Sequence, residues 1–304
     1  LNCPGLVTMT ANGERVGAAV DVARSGVIGV AGCGAMGLPM AQALQGAGYE
    51  VWGLDVRPAE EFGSFQSRLL DPDEFAQRVE IVIAVVRNTA QIQELCFDQQ
   101  ALFVRAQHPR TLIVSSTVSP RFLPELRSRL PADVSLVDAP MSGAPHAARH
   151  RKLSFMLGGA AEDLDRLTPL FEAMGQHLFR LGPLGAGMTA KVLNNYVAST
   201  SVVAVRRVYA RARELGTDLD ALRAVMSASS GSTWFGDNFH DIDWSSEGYE
   251  SNNTMGILEK DVLSGLDAIR NVKHAGPDAF DTALLEAIRA IGPFEPEPAA
   301  PRKA

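Results

Sequence analysis

Residues Gly32-Cys33-Gly34-Ala35-Met36-Gly37 follow directly on the apolar run Val27-Ile28-Gly29-Val30-Ala31, and no other feature of the chain narrows its fold so far. A lone glycine pattern also suits an ordinary tight turn between a strand and a helix. With this spacing and this position, however, it fits a dinucleotide-binding turn: Gly32 permits the tight exit from the strand, Gly34 lets backbone approach a pyrophosphate, and Gly37 allows helix and strand to pack closely. Amides at the start of the following helix then face the phosphates, so Gly32, Cys33, Gly34, Ala35, Met36 and Gly37 form the expected cradle. A second strand pattern, Glu50-Val51-Trp52-Gly53-Leu54, ends in Asp55, at about the 20-residue separation where a carboxylate meets the adenosine ribose hydroxyls. That favours NAD over NADP, because a carboxylate repels a ribose phosphate. Arg57 is close enough to compensate if it turns inward.

From Val27 to about Gly182, short apolar runs alternate with helical patterns. The runs include Ile81-Val82-Ile83-Ala84-Val85-Val86, Leu112-Ile113-Val114, Val134-Ser135-Leu136-Val137, Phe155-Met156-Leu157 and His177-Leu178-Phe179-Arg180. Such alternation predicts an α/β domain of Rossmann type with a mostly parallel sheet. Several runs empty into polar segments, Arg87-Asn88-Thr89, Ser115-Ser116-Thr117 and Asp138-Ala139-Pro140-Met141-Ser142-Gly143, where ligands bind in folds of this kind. After Gly182 the character changes. Met188 to about Glu214 is nearly free of glycine and proline and predicts one long interdomain helix of roughly 40 Å, leading an all-α second domain. The expected organisation is a tail over 1–25, a cofactor-binding domain over 26–184, a helical domain for substrate and dimerisation over 185–292, and a disordered tail over 293–304.

Length and composition agree: 304 residues suffice for about two domains, and 46% hydrophobic with 21% charged residues is ordinary for a globular chain. A formal charge of −7 argues against nonspecific binding to nucleic acid or an anionic membrane surface. No apolar stretch is long enough to span a bilayer, so neither partner is expected. Cys3, Cys33 and Cys96 show no paired spacing, which leaves no disulfide framework or structural zinc site and makes a reducing cytoplasm the simplest home. The first 25 residues lack the apolar core of a secretory signal. His240, Asp241 and Asp243 match no metal-ligand spacing and read as a polar loop, so no metal is expected. Trp234 and Phe235 read as core or interface.

Four segments, in order, resemble the β-hydroxyacid dehydrogenase family, which includes 3-hydroxyisobutyrate, tartronate-semialdehyde, threonate and 6-phosphogluconate enzymes. They are Gly29 to Met40, the Asp138 to Gly143 loop, Gly185 to Asn195, and Lys260-Asp261, and the resemblance spans about residues 26 to 290. It implies NAD-dependent oxidation of a small β-hydroxy carboxylic acid, or reduction of the matching semialdehyde or ketone, in a homodimer or homotetramer. Lys191 and Asn195 are four residues apart and so share one helix face, where an amine and an amide can address one substrate hydroxyl. A partly buried lysine near a helix start can have its pKa drawn toward working pH and serve as general base. A lysine on a solvated face is the ordinary alternative. The resemblance places Lys191 at the catalytic lysine and Asn195 at the amide that orients substrate.

By the same resemblance Ser142, Gly143 and Ala144 present a hydroxyl and backbone amides to the substrate carboxylate, a natural use of a glycine-containing anion cradle. Relatives usually have a second glycine where this chain has Ala144-Pro145, and a glycine where it has Arg151. The basic run His146, Arg149, His150, Arg151, Lys152 reads as a solvated face. Thr117 corresponds to a position beside the nicotinamide, Val86, Arg87 and Gln91 to the loop along the cofactor, and Lys260 to a lysine that reaches it. Asp261 corresponds to a carboxylate near the reacting centre, although a Lys-Asp pair on a helix can equally be structural. Asn253 stands where some relatives place an aromatic residue, which predicts a more polar pocket and a threonate-like acid over an aliphatic one. Imine or amino-acid reduction and a non-catalytic NAD-binding sensor are the competing readings. Lys191 and Asn195 speak against both the imine and the sensor reading.

Overall fold

In the computed structural model the described residues are 26–143, 145–270 and 276–294. The tail expected over 1–25, most of the tail expected over 293–304, and Ala144 lie outside them. The chain divides into two compact units, Leu1–Lys191 and Val192–Ala304.

The first unit is built on an eight-stranded sheet. Its first five strands are β1 (Ile28–Ala31), β2 (Val51–Leu54), β3 (Ile81–Ala84), β4 (Thr111–Val114) and β5 (Ser135–Asp138), followed by β6 (Met141–Ser142), β7 (Leu153–Gly158) and β8 (Gly175–Gly182). Spatial order is β2-β1-β3-β4-β5-β7-β6, with β8 paired to β7. The first five strands are parallel; β7 runs antiparallel to β5 and β6 and parallel to β8. Their apolar runs do not alternate because helices cover both sheet faces. Ile28, Val30, Ile81 and Ile83 pack into one core, and Val82, Ala84, Leu112 and Val114 into the other. Helices α1 (Gly37–Gly46), α2 (Pro72–Arg78), α3 (Thr89–Cys96), α4 (Phe122–Arg129), α5 (Pro145–Arg149) and α6 (Ala161–Met174) supply the covering layers, with a 3-10 segment over Ala59–Arg68. Two short elements, β6 and α5, occupy a stretch whose polar, glycine- and proline-containing sequence reads as loop.

Register places the site. Ala31 pairs with Leu54 and Ala84, Ala84 with Val114, and Val114 with Asp138, so the last residues of five parallel strands form one row. Loops leaving that row carry the glycine turn, Asp55, Val86-Arg87, Ser115 to Thr117 and the Asp138 segment. Strand order reverses at β1, the switch point where open parallel sheets bind ligands.

Helix α7 (Ala186–Glu214), about 43 Å long at 1.5 Å per residue, begins in the first unit and continues into the second. The second unit adds α8 (Leu219–Ser227), α9 (Trp234–Asp237), α10 (Thr254–Ile269) and α11 (Ala279–Arg289). The last four start at side-chain caps: Asp218, Thr233, Asn253, and Asp278 in a reciprocal capping box with Asp281. Val202, Val205, Tyr209, Phe235, Phe239, Met255 and Val262 form the core. Buried Arg206 donates to the carbonyls of Ser245, Glu247 and Gly292; burial, then the charge of Arg213, pushes its guanidinium down to about 10. Residue 294 departs from the expected tail. The Phe294 N–H donates to the Ser246 carbonyl, and its ring lies 5.6 Å from Phe239, because an aromatic side chain beside an apolar core gains more by burial than it loses in chain freedom. Among the described residues no helix is long and apolar enough to cross a membrane.

Candidate active site

The glycine turn fits a pyrophosphate cradle position by position. Gly32 has φ +91°, and a Cβ there would stand 2.4 Å from the Val85 carbonyl oxygen. At Gly37 a Cβ would stand 2.0 Å from the Gly32 carbonyl oxygen, whereas at Gly34 it would meet nothing within 4 Å. The first and last glycines are therefore demanded by the chain itself. Gly34 is not, and the space in front of it suits a ligand. No side chain caps α1 at Met36; Leu38 and Met40 donate to the Gly34 and Met36 carbonyls and Pro39 has no N–H, so in the first turn of the helix it is the Gly37 amide that suits an anion. Cys33 contributes backbone only: its Sγ donates to the Val30 carbonyl at 3.4 Å, and burial, then the charge of Asp55, pushes the thiol up to about 12.

Asp55 sits at the end of β2 as the spacing predicts. Its carboxylate accepts the Cys33 N–H at 2.8 Å and the Arg57 backbone N–H at 3.1 Å. Arg57 does turn inward. Its Nε lies 3.0 Å from Asp55 Oδ1, its Nη2 donates to Asp55 Oδ2 at 3.2 Å and to the Cys33 carbonyl at 3.1 Å, and the guanidinium rests 4.6 Å over the Phe62 ring. Burial alone would raise the Asp55 carboxyl, but the bonds and charge of Arg57, with the Cys33 amide, hold it below the ordinary carboxylate value.

The loop after β3 is tied to the end of β4. Ser116 Oγ accepts the Val86 N–H at 2.8 Å and donates to the Ala84 carbonyl at 3.3 Å. The Gln91 side chain accepts the Arg87 N–H at 2.8 Å, and Asn88 caps α3 by accepting the Gln91 N–H. Gln91 thus shapes the loop and its oxygen is already engaged. Thr117 follows Ser116 at the strand end. Ser142 lies on β6 opposite Ser154, and Gly143 has φ +127°. Arg151 adopts φ +58°, a left-handed conformation that costs a non-glycine residue about 1–2 kcal/mol. Its Nε donates to the Ala173 carbonyl at 2.7 Å, so this member of the basic run serves the fold.

Helix α7 carries Lys191, buried, and Asn195 one turn later. In the second unit Asn195 Nδ2 donates to Asp261 Oδ2 at 2.5 Å, and Lys260 Nζ lies 2.7 Å from Asp261 Oδ1. Asn195, Lys260 and Asp261, named from separate sequence segments, thus form one cluster around a buried carboxylate. Asn253 does not join it. Its oxygen accepts the N–H groups of Met255 and Gly256 and its amide donates to the Gly248 carbonyl at 2.7 Å, so the side chain is spent capping α10 and gives no ground for a more polar pocket. An Asn directly ahead of an apolar periodic stretch is a cap signal that the sequence carries. Ser116 and Asp138 carry no local signal as supports because their partners lie far away in sequence. Among the described residues no group of three or more His, Cys, Asp and Glu is placed to hold a metal ion.

Two family models match the chain: the NAD binding domain of 6-phosphogluconate dehydrogenase over residues 27–182, and the NAD-binding region of NADP-dependent 3-hydroxyisobutyrate dehydrogenase over 185–287. An L-threonate dehydrogenase of Cupriavidus necator is 31% identical over 256 residues, 82% of this chain and 86% of that protein. An NAD-dependent L-serine dehydrogenase of Pseudomonas aeruginosa is 32% identical over 208 residues, 67% of this chain and 70% of that protein. The crystal structure of a 3-hydroxyisobutyrate dehydrogenase from Salmonella typhimurium superposes with a TM-score of 0.73 at 25% identity, covering 86% of this chain and 92% of that one.

Proposed function

The chain belongs to the β-hydroxyacid dehydrogenase family and is a nicotinamide-dependent dehydrogenase acting on CH–OH groups, and we propose that it oxidises a small β-hydroxy carboxylic acid with Lys191 as general acid/base. The observation that carries this reading is the pairing of an open glycine cradle at the sheet's switch point with a buried lysine one helical turn from an amide already oriented by a carboxylate.

When bound, the nicotinamide supplies the hydride acceptor. Every other task falls to the chain. The amides from Gly34 to Gly37 would hold the pyrophosphate, and Asp55 with Arg57 would meet the adenosine ribose. Ser142 and the backbone at Gly143 orient the substrate carboxylate. Asn195, its amide fixed by Asp261, holds the substrate hydroxyl. Unprotonated Lys191 Nζ takes the hydroxyl proton as the carbinol carbon gives up its hydride, leaving a carbonyl product and an ammonium; in the reverse direction the ammonium returns that proton. Arg57 lying on Asp55 supports use of both NAD and NADP, since the pair offers a carboxylate to a ribose hydroxyl and a guanidinium to a ribose phosphate. The similar proteins are named for threonate, serine and 3-hydroxyisobutyrate, all small hydroxylated carboxylic acids, which supports the class and leaves the chain length open. Leu193, Val197, Trp234 and Phe280 expose apolar surface in favour of a homo-oligomer, and buried, unpaired Cys33 and Cys96 suit the cytoplasm.

The test is nicotinamide reduction by wild type and Lys191→Ala across C3 to C6 hydroxy acids, with NAD and NADP run separately. We expect one acid to be turned over and its kcat to fall about 10³-fold in the variant. NAD binding without turnover of any acid sinks the hydroxyacid reading in favour of imines or a sensor role. An active Lys191→Ala removes Lys191 from the chemistry.

A further inference from the structure

Strand β5 ends in Asp138, whose side chain is fully buried. Both of its oxygens are taken by the start of the helix that bears Lys191: Oδ1 accepts the Gly185 N–H at 2.7 Å and Oδ2 the Met188 N–H at 2.6 Å. The fit is close on every side. A Cβ at Gly158 would stand 2.4 Å from Oδ1, and one at Gly187 would stand 3.0 Å from Oδ2 and 2.2 Å from the Met156 carbonyl oxygen. The same turn is held a second time, because Met188 Sδ accepts the Val118 N–H at 3.5 Å. The α7 terminus is thus pinned to the end of β5, in the row of strand ends, and to the loop that leaves β4.

This arrangement is costly. Burial raises the Asp138 carboxyl even though the amides of Gly185, Met188 and Gly187 all lower it, and a serine or threonine is the ordinary, uncharged way to satisfy a helix start. A short carboxylate at a strand end does what a local cap cannot. It reaches 47 and 50 residues along the chain with both oxygens, and so fixes the height and rotation of the helix against the sheet. Lys191 follows Met188 by three residues, hence by just under one turn on nearly the same face.

We infer that Asp138 is a positioning residue that acts through Lys191, setting the α7 start so that the ε-amine meets the substrate hydroxyl in register with the cofactor loops. The inference rests on the reading of Lys191 as acid/base. Errors of about 1 Å in such placement cost on the order of a hundredfold in rate, while substrate and cofactor contacts made elsewhere are untouched.

The experiment is a double-mutant cycle of Asp138→Asn with Lys191→Ala, recording kcat, both KM values and thermal unfolding. Asp138→Asn keeps the shape but turns one acceptor into a donor facing an N–H. It should lower kcat about 10- to 100-fold with both KM values within about threefold, and should cost less than twofold in the Lys191→Ala background, since a residue acting through the amine has nothing left to position. Full additivity overturns the inference and leaves Asp138 a purely structural cap. A fully active Lys191→Ala refutes the acid/base assignment instead, so the two failures are distinct. Met188→Leu probes the same turn if Asp138→Asn does not fold: it removes the sulfur acceptor at similar volume and should lower kcat about threefold, again only while Lys191 is present. An unchanged kcat in Met188→Leu then counts against the inference.

Discussion

The glycine cradle of the first unit and the Asn195–Asp261–Lys260 cluster of the second, in the roles proposed for them, use different materials. In the cradle the groups offered to a ligand are backbone amides, and sequence matters chiefly through the side chains it leaves out. In the cluster they are side chains, each held by another side chain from a distant segment: Asn195 by Asp261, 66 residues on, and Asp261 by Lys260. A backbone site tolerates many residues but not an extra methyl group at a contact point. A side-chain site tolerates packing changes but not the loss of one polar atom.

The sharpest way to break this contrast is within the cradle. Gly37→Ala places a methyl group 2.0 Å from the Gly32 carbonyl oxygen, whereas Gly34→Ala places one in open space. We expect Gly37→Ala to lower unfolding stability by about 3 kcal/mol, the range for overpacking against rigid backbone, and to abolish cofactor binding. Gly34→Ala should change stability by less than about 0.5 kcal/mol yet raise the KM for the dinucleotide about tenfold or more, because the methyl group stands where the pyrophosphate approaches. Urea unfolding and cofactor titration on the same preparations check both. Equal destabilisation by the two variants would mean that Gly34, too, is demanded by the fold rather than by the ligand.

The cluster offers a smaller effect of a different kind. Asp261→Asn preserves volume but replaces the acceptor shared by Asn195 and Lys260 with a neutral amide. With Asn195 free to turn, kcat/KM for the acid should fall about 10- to 30-fold, as loss of a charge-assisted partner predicts, while the KM for the dinucleotide moves less than twofold. Steady-state kinetics with each substrate varied in turn separates the two. A change confined to the dinucleotide KM would assign the cluster to the cofactor and remove Asp261 from substrate handling.

The same contrast explains what was legible in the sequence. The fold was, because unbroken strand runs, the glycine turn and the glycine-poor α7 stretch are local patterns; β6 and α5 were not, because their short polar stretch carries no periodic signal. Asp55 was legible through a fixed separation from the turn. Lys191, Asn195, Lys260 and Asp261 could be named, but from resemblance; nothing local joins Asn195 to Asp261. Asn253 marks the limit of resemblance: its place in the family pattern points to the pocket, whereas its local pattern marks the cap of α10. Asp138 and Ser116 were visible only as residues of polar loops, since the amides they serve are fixed by strand register and by a helix start dozens of residues away. Arg206 reads as one more cation on a long helix, yet it closes three carbonyls that only the folded second unit brings together.

The smallest expected effect lies where the two kinds of site meet, at Arg57, a side chain that bonds both the Asp55 carboxylate and the Cys33 backbone carbonyl. Arg57→Ala leaves Asp55 able to accept ribose hydroxyls but removes the cation facing a ribose phosphate. The KM for NADP should therefore rise about tenfold and that for NAD less than threefold. A pH signature accompanies this. The Asp55 carboxyl lies below its ordinary value in the folded chain, so the folded state favours the ionised form. The stability that this contributes is complete above the unfolded carboxyl value, near pH 4, and is lost as pH falls through the lower folded value. Arg57→Ala should thus be less stable than wild type in urea at pH 7, and the gap should narrow at pH 3. If the two dinucleotide KM values rise together, Arg57 acts by holding the Cys33 carbonyl and shaping the turn, and the cradle is then less purely a backbone site than its glycines indicate.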